Sequence, residues 1–329
     1  MSKPSVYVTR LIPLPVIDKL SERCHVDYNR EDKILTKSEL LEKIKGRDAV
    51  FVVGSVMDED VCKAVSPQCK IFANYGVGYN NIDVEAATKY GIFVSNTPDV
   101  VTDDTADITW GLMLAVARKI VGGHQFVQSG NTGNWLSPEN LMGTKVSGKT
   151  LGIIGAGRIG LAVAERAKGF KMKILYTDMQ PNTHFEEKTG GIFVDKATLL
   201  KEADFVSLHV PLMTETRHLI DEQELKLMKK TAFLINAARG PVVNEEALVA
   251  ALTAGEIAGA GLDTFENEPV VGEALRSHSR VVLTPHVGTY TLDTRVAAGE
   301  LCIANIYAAL DGQQPPTCLN PSAINQRKL

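Results

Sequence analysis

Short apolar runs alternate with segments of helical periodicity along the whole sequence. In the first third, the apolar runs are rich in β-branched and aromatic residues and lie at residues 6–8, 50–53, 71–73 and 92–94. Segments with the periodicity of amphipathic helices, at residues 38–45 and 84–90, lie between them. This alternation predicts βαβ units that form a parallel sheet.

A second series of apolar runs follows the first. Its runs are continuous rather than alternating, as expected for strands covered by helices on both faces. They lie at residues 151–154, 174–176, 205–210, 232–236, 260–262 and 281–283. Helical periodicity at residues 159–167 and 245–254 fills two of the gaps. The second series therefore predicts a second α/β domain.

Two turn-rich stretches mark the crossings between these domains. Asn96-Thr97-Pro98-Asp99 precedes a long predicted helix at about residues 103–120, and Pro285-His286-Val287-Gly288 precedes a final predicted helix at about residues 291–310. The predicted fold is α/β, with two doubly wound parallel-sheet domains. A Rossmann nucleotide domain, residues 99–287, is inserted into a discontinuous flavodoxin-like substrate domain, residues 1–98 and 288–329.

Composition narrows the class of protein. A chain of 329 residues is too long for one small core, which favours two domains or one large one. Its net charge of −4 gives no electrostatic reason to expect a nucleic-acid partner. Five scattered cysteines without a CxxC pair predict reduced thiols rather than disulfides or a zinc site.

Targeting signals are weak in this sequence. We find no signal peptide and no apolar run of membrane-spanning length, so we predict a cytoplasmic protein without a membrane partner. The C-terminal Arg327-Lys328-Leu329 matches the peroxisomal address Ser-Lys-Leu only in part.

A glycine-rich turn, Gly155-Ala156-Gly157-Arg158-Ile159-Gly160, joins a predicted strand to a predicted helix. In a dinucleotide site, Gly155 permits the tight turn, Gly157 lets the pyrophosphate approach the backbone, and Gly160 lets the helix pack closely. The helix predicted at residues 159–167 presents the free N–H groups of its N-terminus, at Ile159, to the phosphates. Arg158 adds a charged donor. The alternative is a purely structural βα turn.

Asp178 ends the next predicted strand, about 20 residues beyond the glycine turn, where dinucleotide sites place the carboxylate that binds the adenosine ribose. A carboxylate there repels a 2′-phosphate, and no arginine follows it. We therefore predict NAD as the cofactor in preference to NADP. The alternative is a solvated aspartate in a loop.

Three later residues suit the reduction of a keto acid. Arg239 follows the predicted strand at 232–236, and its guanidinium suits a carboxylate and polarises a neighbouring ketone. His286 follows another strand and suits a proton donor, because its charge changes near neutral pH. Glu268 is the preferred partner of this imidazole, with Glu266 as the alternative. Together they predict hydride exchange between a nicotinamide and a small oxo or hydroxy acid.

As a set, these motifs resemble the D-isomer-specific 2-hydroxyacid dehydrogenase family, in its glyoxylate/hydroxypyruvate reductase branch. The resemblance covers nearly the whole chain. The motifs that carry it are residues 155–160, Ala237-Ala238-Arg239-Gly240, Gly261-Leu262-Asp263-Thr264-Phe265-Glu266, Glu268-Pro269 and Pro285-His286-Val287-Gly288.

The resemblance implies roles for individual residues. Arg239 would anchor the substrate, His286 would donate the proton and Glu268 would be its partner. Backbone N–H groups of Val77 and Gly78, in a loop similar to the family's substrate loop, would receive the carboxylate. Further cofactor contacts would come from Thr105, Ala237, Arg239, Asp263, His286 and Gly288. From the residues alone, Asp263 suits the nicotinamide carboxamide, a nearby ring edge, or a helix or turn cap.

The resemblance also implies an assembly. The family is usually a homodimer built around the long helix after the first crossing, with two domains that close over the site. Trp135 resembles an aromatic residue that reaches a neighbouring subunit's site in this branch. Tyr290 departs from the pattern, because the branch often has alanine there. Its size leaves hydroxypyruvate, 2-ketogluconate and aryl-glyoxylates open beside glyoxylate.

Two other functions fit parts of this pattern. Formate dehydrogenases share the fold but place glutamine at the position of Glu268, so the histidine–glutamate pair favours an alcohol substrate. Corepressors of the C-terminal-binding-protein type bind NAD as scaffolds and can retain the arginine, glutamate and histidine. The sequence lacks a long low-complexity tract or a basic run, which favours the enzyme.

Overall fold

The computed structural model describes residues 3–130 and 141–326. Its backbone divides into two compact units. Met1–Val101 with Thr289–Leu329 form the discontinuous unit, and Thr102–Gly288 form the inserted unit. The boundary residues predicted from the sequence, 98/99 and 287/288, stay predictions. Trp135 and the C-terminal Arg327-Lys328-Leu329 lie outside the described residues.

The discontinuous unit is built on a parallel sheet with helices on both faces. In its described residues the strands are β1 (Ser5–Val8), β2 (His25–Tyr28), β3 (Ala49–Val52), β4 (Ile71–Asn74) and β5 (Phe93–Ser95). Its helices are α1 (Leu14–Ser21), α2 (Lys37–Ile44), α3 (Glu59–Val65), α4 (Val84–Lys89) and α13 (Leu292–Leu310). The strand order is β2-β1-β3-β4-β5, which is the flavodoxin-like order that was predicted.

Alternate residues of the buried strands supply the two cores of this unit. Phe51 of β3 packs with α1 and α13, whereas its neighbours Val50 and Val52 pack with α2 and α3 on the other face. Strand β2 was not predicted. It lies at the edge of the sheet and its residues are half-exposed, so it lacks the continuous apolar run that identifies the central strands.

The inserted unit repeats this plan on a larger scale. Its described strands are β6 (Thr150–Ile154), β7 (Lys173–Thr177), β8 (Ile192–Phe193), β9 (Phe205–Leu208), β10 (Phe233–Asn236), β11 (Gly259–Leu262) and β12 (Val281–Leu283). Its described helices are α5 (Thr102–Ala117), α6 (Ile120–Gln128), α7 (Arg158–Ala167), α8 (Thr183–Thr189), α9 (Lys196–Glu202), α10 (Glu222–Leu227), α11 (Glu245–Ala254) and α12 (Glu273–Arg276).

The seven described strands of the inserted unit pair in parallel, in the order β12-β11-β10-β9-β6-β7-β8. This is a Rossmann order, as predicted, with the direction of winding reversed between β6 and β9. In open α/β sheets, ligands bind beyond the carboxyl ends of the strands at this reversal. The glycine-rich turn follows β6 and therefore lies at that point.

The long helix predicted at residues 103–120 was wrong at its C-terminal end. Helix α5 ends at Ala117, and a new helix, α6, begins at Ile120. Lys119 between them has a left-handed backbone with φ of 53°, which an α-helix does not tolerate. Periodicity did not reveal this break, because apolar residues continue on both sides of it.

The described residues contain no disulfide and no helix suited to cross a membrane. None of the five cysteines, all of which are described, forms a disulfide, and four of them are buried. In the described parts of the chain, every helix is too short or too polar to cross a lipid bilayer.

Candidate active site

The glycine-rich turn leaves open space at one position and none at the two others. Gly155 has φ of +98°, and a Cβ there would lie 2.7 Å from the backbone of His209. A Cβ on Gly160 would collide with the carbonyl oxygen of Gly155. On Gly157, by contrast, it would meet no described atom within 4 Å. Gly155 and Gly160 thus permit the fold of the turn, and Gly157 leaves open space beside it.

Gly157 is also the N-cap of α7. The first N–H groups of a helix have no partners within the helix, and they carry the positive end of its dipole. Arg158 and Ile159 begin this helix, and the side chain of Arg158 is exposed. An uncrowded glycine beside a helix N-terminus fits the pyrophosphate of a dinucleotide.

Asp178 lies directly beside this turn. One of its carboxylate oxygens accepts a hydrogen bond from the N–H of Ala156 at 2.7 Å, and the other accepts from the N–H of Met179 at 2.7 Å. Asn182 donates to the carbonyl of Ala156 at 3.0 Å, which ties the same loop to the turn. Residues 178–184 line an open cavity of about 430 Å³. Asp178, the carboxylate predicted to bind the ribose, thus lies at an open cavity beside the glycine-rich turn.

Arg239 lies in a turn fixed by its own neighbours. The side chain of Asn236 accepts from the N–H of Ala238 and donates to the carbonyl of Arg239, both at 3.0 Å. A Cβ on Gly240 would collide with the carbonyl of Phe265, so the turn packs directly against residues 265–268. Desolvation lowers the pKa of Arg239, and the negative charge of Glu268 opposes this effect. A guanidinium keeps its charge despite such a shift.

His286 and Glu268 form a hydrogen-bonded pair. The Nδ1 atom of His286 lies 2.8 Å from Oε2 of Glu268, and the N–H of Phe265 donates to Oε1 of Glu268 at 2.9 Å. Burial raises the pKa of Glu268, but the bond from His286, the N–H of Phe265 and the charge of Arg239 outweigh it, so the pKa is lowered overall. The carboxylate therefore stays ionised beside an imidazole whose side chain is 46% exposed.

Asp263 braces the turn that carries His286. Its carboxylate accepts from the hydroxyl of Thr284 at 2.6 Å and from the N–H groups of Val287 and Gly288 at 2.9 and 2.8 Å. His286 has a left-handed backbone with φ of 53°, which is uncommon outside glycine. The turn-cap alternative for Asp263 thus describes its contacts here, while its contact with a cofactor stays a prediction.

The remaining predicted residues are divided between the units. In the inserted unit, Ala237 is buried behind the Arg239 turn, and a Cβ on Gly288 would touch Asp263 and the methyl group of Thr105. Val77 and Gly78 lie in the discontinuous unit, after β4. There Asn96 donates to the carbonyl of Val77 at 2.9 Å, and Asn74 donates to that of Gly78 at 2.9 Å. These bonds fix the peptide planes of the loop.

Glu266 was the alternative partner of His286, but it pairs with another histidine. Its Oε1 atom lies 2.6 Å from Nε2 of His218. No motif pointed to His218, because the pair joins residues 48 positions apart. The sequence also gave no signal for His209, which follows β9 and shares a hydrogen bond with Ser207 at 2.8 Å. Burial lowers the pKa of His209 to about 3, so this imidazole is neutral.

This architecture has close relatives. Residues 110–288 match the family described as D-isomer specific 2-hydroxyacid dehydrogenase, NAD binding domain. A glyoxylate reductase from Pyrococcus furiosus is 47% identical over 330 aligned residues, which cover 99% of this chain and 98% of that protein.

Solved structures agree with this match. A Thermus thermophilus protein of 39% identity superposes with a TM-score of 0.89 over 96% of this chain and 99% of its own. An NADPH-dependent glyoxylate/hydroxypyruvate reductase from Sinorhizobium meliloti, solved with NADP and malonate, is 32% identical, with a TM-score of 0.85 over the full length of both chains.

The chain belongs to the D-isomer specific 2-hydroxyacid dehydrogenase family. It is an oxidoreductase with an NAD-binding Rossmann domain, and its reaction class is the reduction of a 2-oxo acid to a 2-hydroxy acid.

We expect two glycines of the turn to have different roles, Gly160 in folding and Gly157 in cofactor binding. We expect Gly157→Ala to melt at the wild-type temperature and to raise the Kd for NADH about 10-fold or more, because the methyl group occupies the side that the pyrophosphate approaches. Gly160→Ala should instead lower the free energy of unfolding by about 1–3 kcal/mol through overpacking. Thermal melts and NADH fluorescence titrations measure both effects. Wild-type NADH affinity in Gly157→Ala would refute this assignment.

Proposed function

We propose that this protein uses NADH to reduce glyoxylate, hydroxypyruvate or a somewhat bulkier 2-oxo acid to the D-2-hydroxy acid, and that the reaction is reversible. The observation that carries the proposal is the His286–Glu268 pair. It lies in the same unit as the glycine-rich turn, and the charge of Arg239 acts on its carboxylate. The glyoxylate reductases among its relatives support this substrate class.

His286 is the proposed proton donor. When bound, the nicotinamide supplies the hydride, and reduction of a ketone then requires a proton on the substrate oxygen. Because Nδ1 of His286 faces Glu268, Nε2 is the nitrogen left to donate that proton. Glu268 fixes the ring and favours the imidazolium form. General acid catalysis of this kind typically contributes roughly 10²–10⁴ in rate.

Arg239 is the proposed anchor of the substrate. A guanidinium can bind a carboxylate through two parallel hydrogen bonds and stabilise the negative charge that develops on a neighbouring carbonyl oxygen. The N–H groups of Val77 and Gly78 are the other proposed carboxylate ligands. Side-chain amides already bind the carbonyls of this loop, and this support orients its peptides.

The proposed cofactor site includes the glycine-rich turn, the first residues of α7 and Asp178. Asp178 is exposed and already bound to the turn, so it is well placed for the ribose hydroxyls and unfavourable for a 2′-phosphate. We propose NAD in preference to NADP on this basis. Thr105 is proposed to lie near the cofactor phosphates or the nicotinamide, Asp263 near the nicotinamide carboxamide, and Ala237 and Gly288 are further proposed cofactor contacts.

Tyr290 is proposed to shape the substrate range. Its ring lies 4.8 Å from the guanidinium carbon of Arg295, and that carbon lies 3.8 Å from the ring of Tyr75, which leads into the loop of Val77 and Gly78. The Arg295 guanidinium thus contacts both rings, although 61% of the surface of Tyr290 is exposed. We propose that this ring, where the family branch often has alanine, changes the wall of the substrate pocket, so that 2-oxo acids other than glyoxylate are also substrates.

We further propose a homodimer. Helix α6 follows the long helix α5 and buries none of its residues within its own chain. Its apolar residues Ile120, Val121 and Val127 are exposed, as is Met142. Apolar residues grouped in this way are typical of a covered surface in oligomers. Sedimentation velocity at micromolar concentration tests the dimer, and a monomer at that concentration would exclude it.

The cytoplasmic location stays a prediction.

A panel of 2-oxo acids tests the proposed function directly. We expect NADH oxidation with glyoxylate, hydroxypyruvate and larger acids at turnover numbers of ordinary enzymes, roughly 1–10³ per second. NADH should be used more efficiently than NADPH. Tight binding of NADH without turnover of any acid would instead favour the scaffold function.

Glu268→Gln tests the histidine–glutamate pair through pH. Reduction should slow as pH rises, because the acid form of His286 is lost. Removing the carboxylate should move that fall to lower pH, because the imidazolium loses its counter-charge. The pH profile of kcat/KM measures the shift. Glu273→Gln, an exposed glutamate of the same unit, is the control. Identical profiles for Glu268→Gln and the wild type would remove Glu268 from the mechanism.

Asp178→Asn tests the cofactor preference. Asparagine can still accept from the N–H of Ala156 but no longer repels a phosphate, so the preference for NADH over NADPH should fall about 10-fold, or about 1.4 kcal/mol. The ratio of kcat/KM for the two cofactors measures it. Glu187→Gln on the neighbouring α8 should leave the ratio unchanged. If Asp178→Asn also leaves it unchanged, Asp178 does not select the cofactor.

A further inference from the structure

A second histidine–glutamate pair adjoins the proposed catalytic pair. His218 and Glu266 are 2.6 Å apart, and Glu266 is two residues before Glu268 in the same segment. The side chain of Glu266 is only 17% exposed, and that of His218 is 32% exposed. The functions proposed above use neither residue, although a nearly buried charge requires a partner.

Glu266 also links its segment to the start of α11. Its Oε2 atom accepts from the N–H of Glu245 at 3.3 Å, and its own N–H donates to the carboxylate of Glu245 at 2.5 Å. The positive end of the helix dipole stabilises a carboxylate in this position. Glu266 therefore bonds simultaneously to α11 and to His218.

The segment around His218 is bonded in turn to the Arg239 turn. The N–H of His218 donates to the carbonyl of Pro241 at 2.8 Å, and that of Ile220 donates to Val242 at 3.1 Å. Gly240 packs against the peptide that joins Phe265 to Glu266. Three segments, at residues 217–220, 239–245 and 265–268, thus form one continuous layer in which the His218–Glu266 bond connects the first to the last.

Negative charges are crowded in this layer, and the hydrogen bond from His218 to Glu266 stabilises one of them. Burial raises the pKa of Glu245; the N–H of Glu266 opposes this shift, and the charges of Glu266 and Glu268 add to it. Three carboxylates therefore lie close enough to repel one another. Nε2 of His218 donates directly to Glu266 at 2.6 Å, whereas the Arg217 guanidinium is 3.6 Å from the same oxygen and 57% exposed.

We propose that His218 is a positioning residue, whose bond to Glu266 keeps the segment of residues 265–268 in place so that Glu268 remains on Nδ1 of His286. Without this bond, Glu268 spends less time on the imidazole, and His286 loses its proton at a lower pH. Asp263 also faces His286 but is fixed by its own three hydrogen bonds, so it does not replace Glu268. The role in catalysis rests on the proposed function, but the effect on the imidazole does not.

Titration of His286 by NMR tests this proposal without a requirement for turnover. The full chain is labelled with ¹³C at histidine Cε1, and the His286 signal is identified by its absence in His286→Asn. His218→Ala should lower the titration midpoint of His286, in the direction of Glu268→Gln. In the Glu268→Gln background, His218→Ala should cause no further shift, because the two changes act through the same carboxylate.

Two controls separate positioning from general damage. His218→Gln can still donate to Glu266 and should restore the wild-type midpoint. Arg217→Ala, which removes only the more distant donor, should retain it. If His218→Ala does not fold, His218→Phe, which fills similar space without a donor, takes its place. A wild-type midpoint in the non-donating variant, or an equal shift in the Glu268→Gln background, would overturn the proposal. An inactive wild-type protein would defeat the proposed function alone.

Discussion

The packing of Gly240 against the Phe265–Glu266 peptide is the constraint on which the site depends. A Cβ at Gly240 would collide with the carbonyl of Phe265, so no side chain separates the Arg239 turn from the segment that carries Glu268. Because of this contact, the charge of Arg239 acts on Glu268, which in turn binds His286. The glycine thus makes a charged site from loops that follow two neighbouring strands.

The order of the parallel strands brings the three proposed catalytic residues close together, although they are far apart in the sequence. Strands β10, β11 and β12 are neighbours in the sheet, and the segments with Arg239, Glu268 and His286 follow them in turn. The carboxyl ends of parallel strands meet at one edge, so residues about 50 positions apart reach the same region. Backbone hydrogen bonds to Asp263 and the side chain of Asn236 then fix the two turns.

Sequence patterns predicted the elements that are determined by residues close to one another in the sequence. Continuous apolar runs identified the buried strands. The glycine-rich turn was recognised because a predicted strand precedes it and a predicted helix follows it. The half-exposed edge strand β2 and the left-handed break at Lys119 left no such pattern. The sequence favoured Glu268 over Glu266 as the partner of His286. No sequence pattern, however, indicated that Glu266 pairs with His218. His218 is brought to it only by the pairing of residues 217–220 with the Arg239 turn.

A crystal structure with NADH and oxamate, an unreactive analogue of a 2-oxo acid, measures the central claim most directly. We expect the guanidinium of Arg239 and Nε2 of His286 both to lie within hydrogen-bond distance, roughly 3 Å, of the same oxamate molecule. Oxamate that contacts neither side chain, with the imidazole and guanidinium directed away from the nicotinamide, would contradict it.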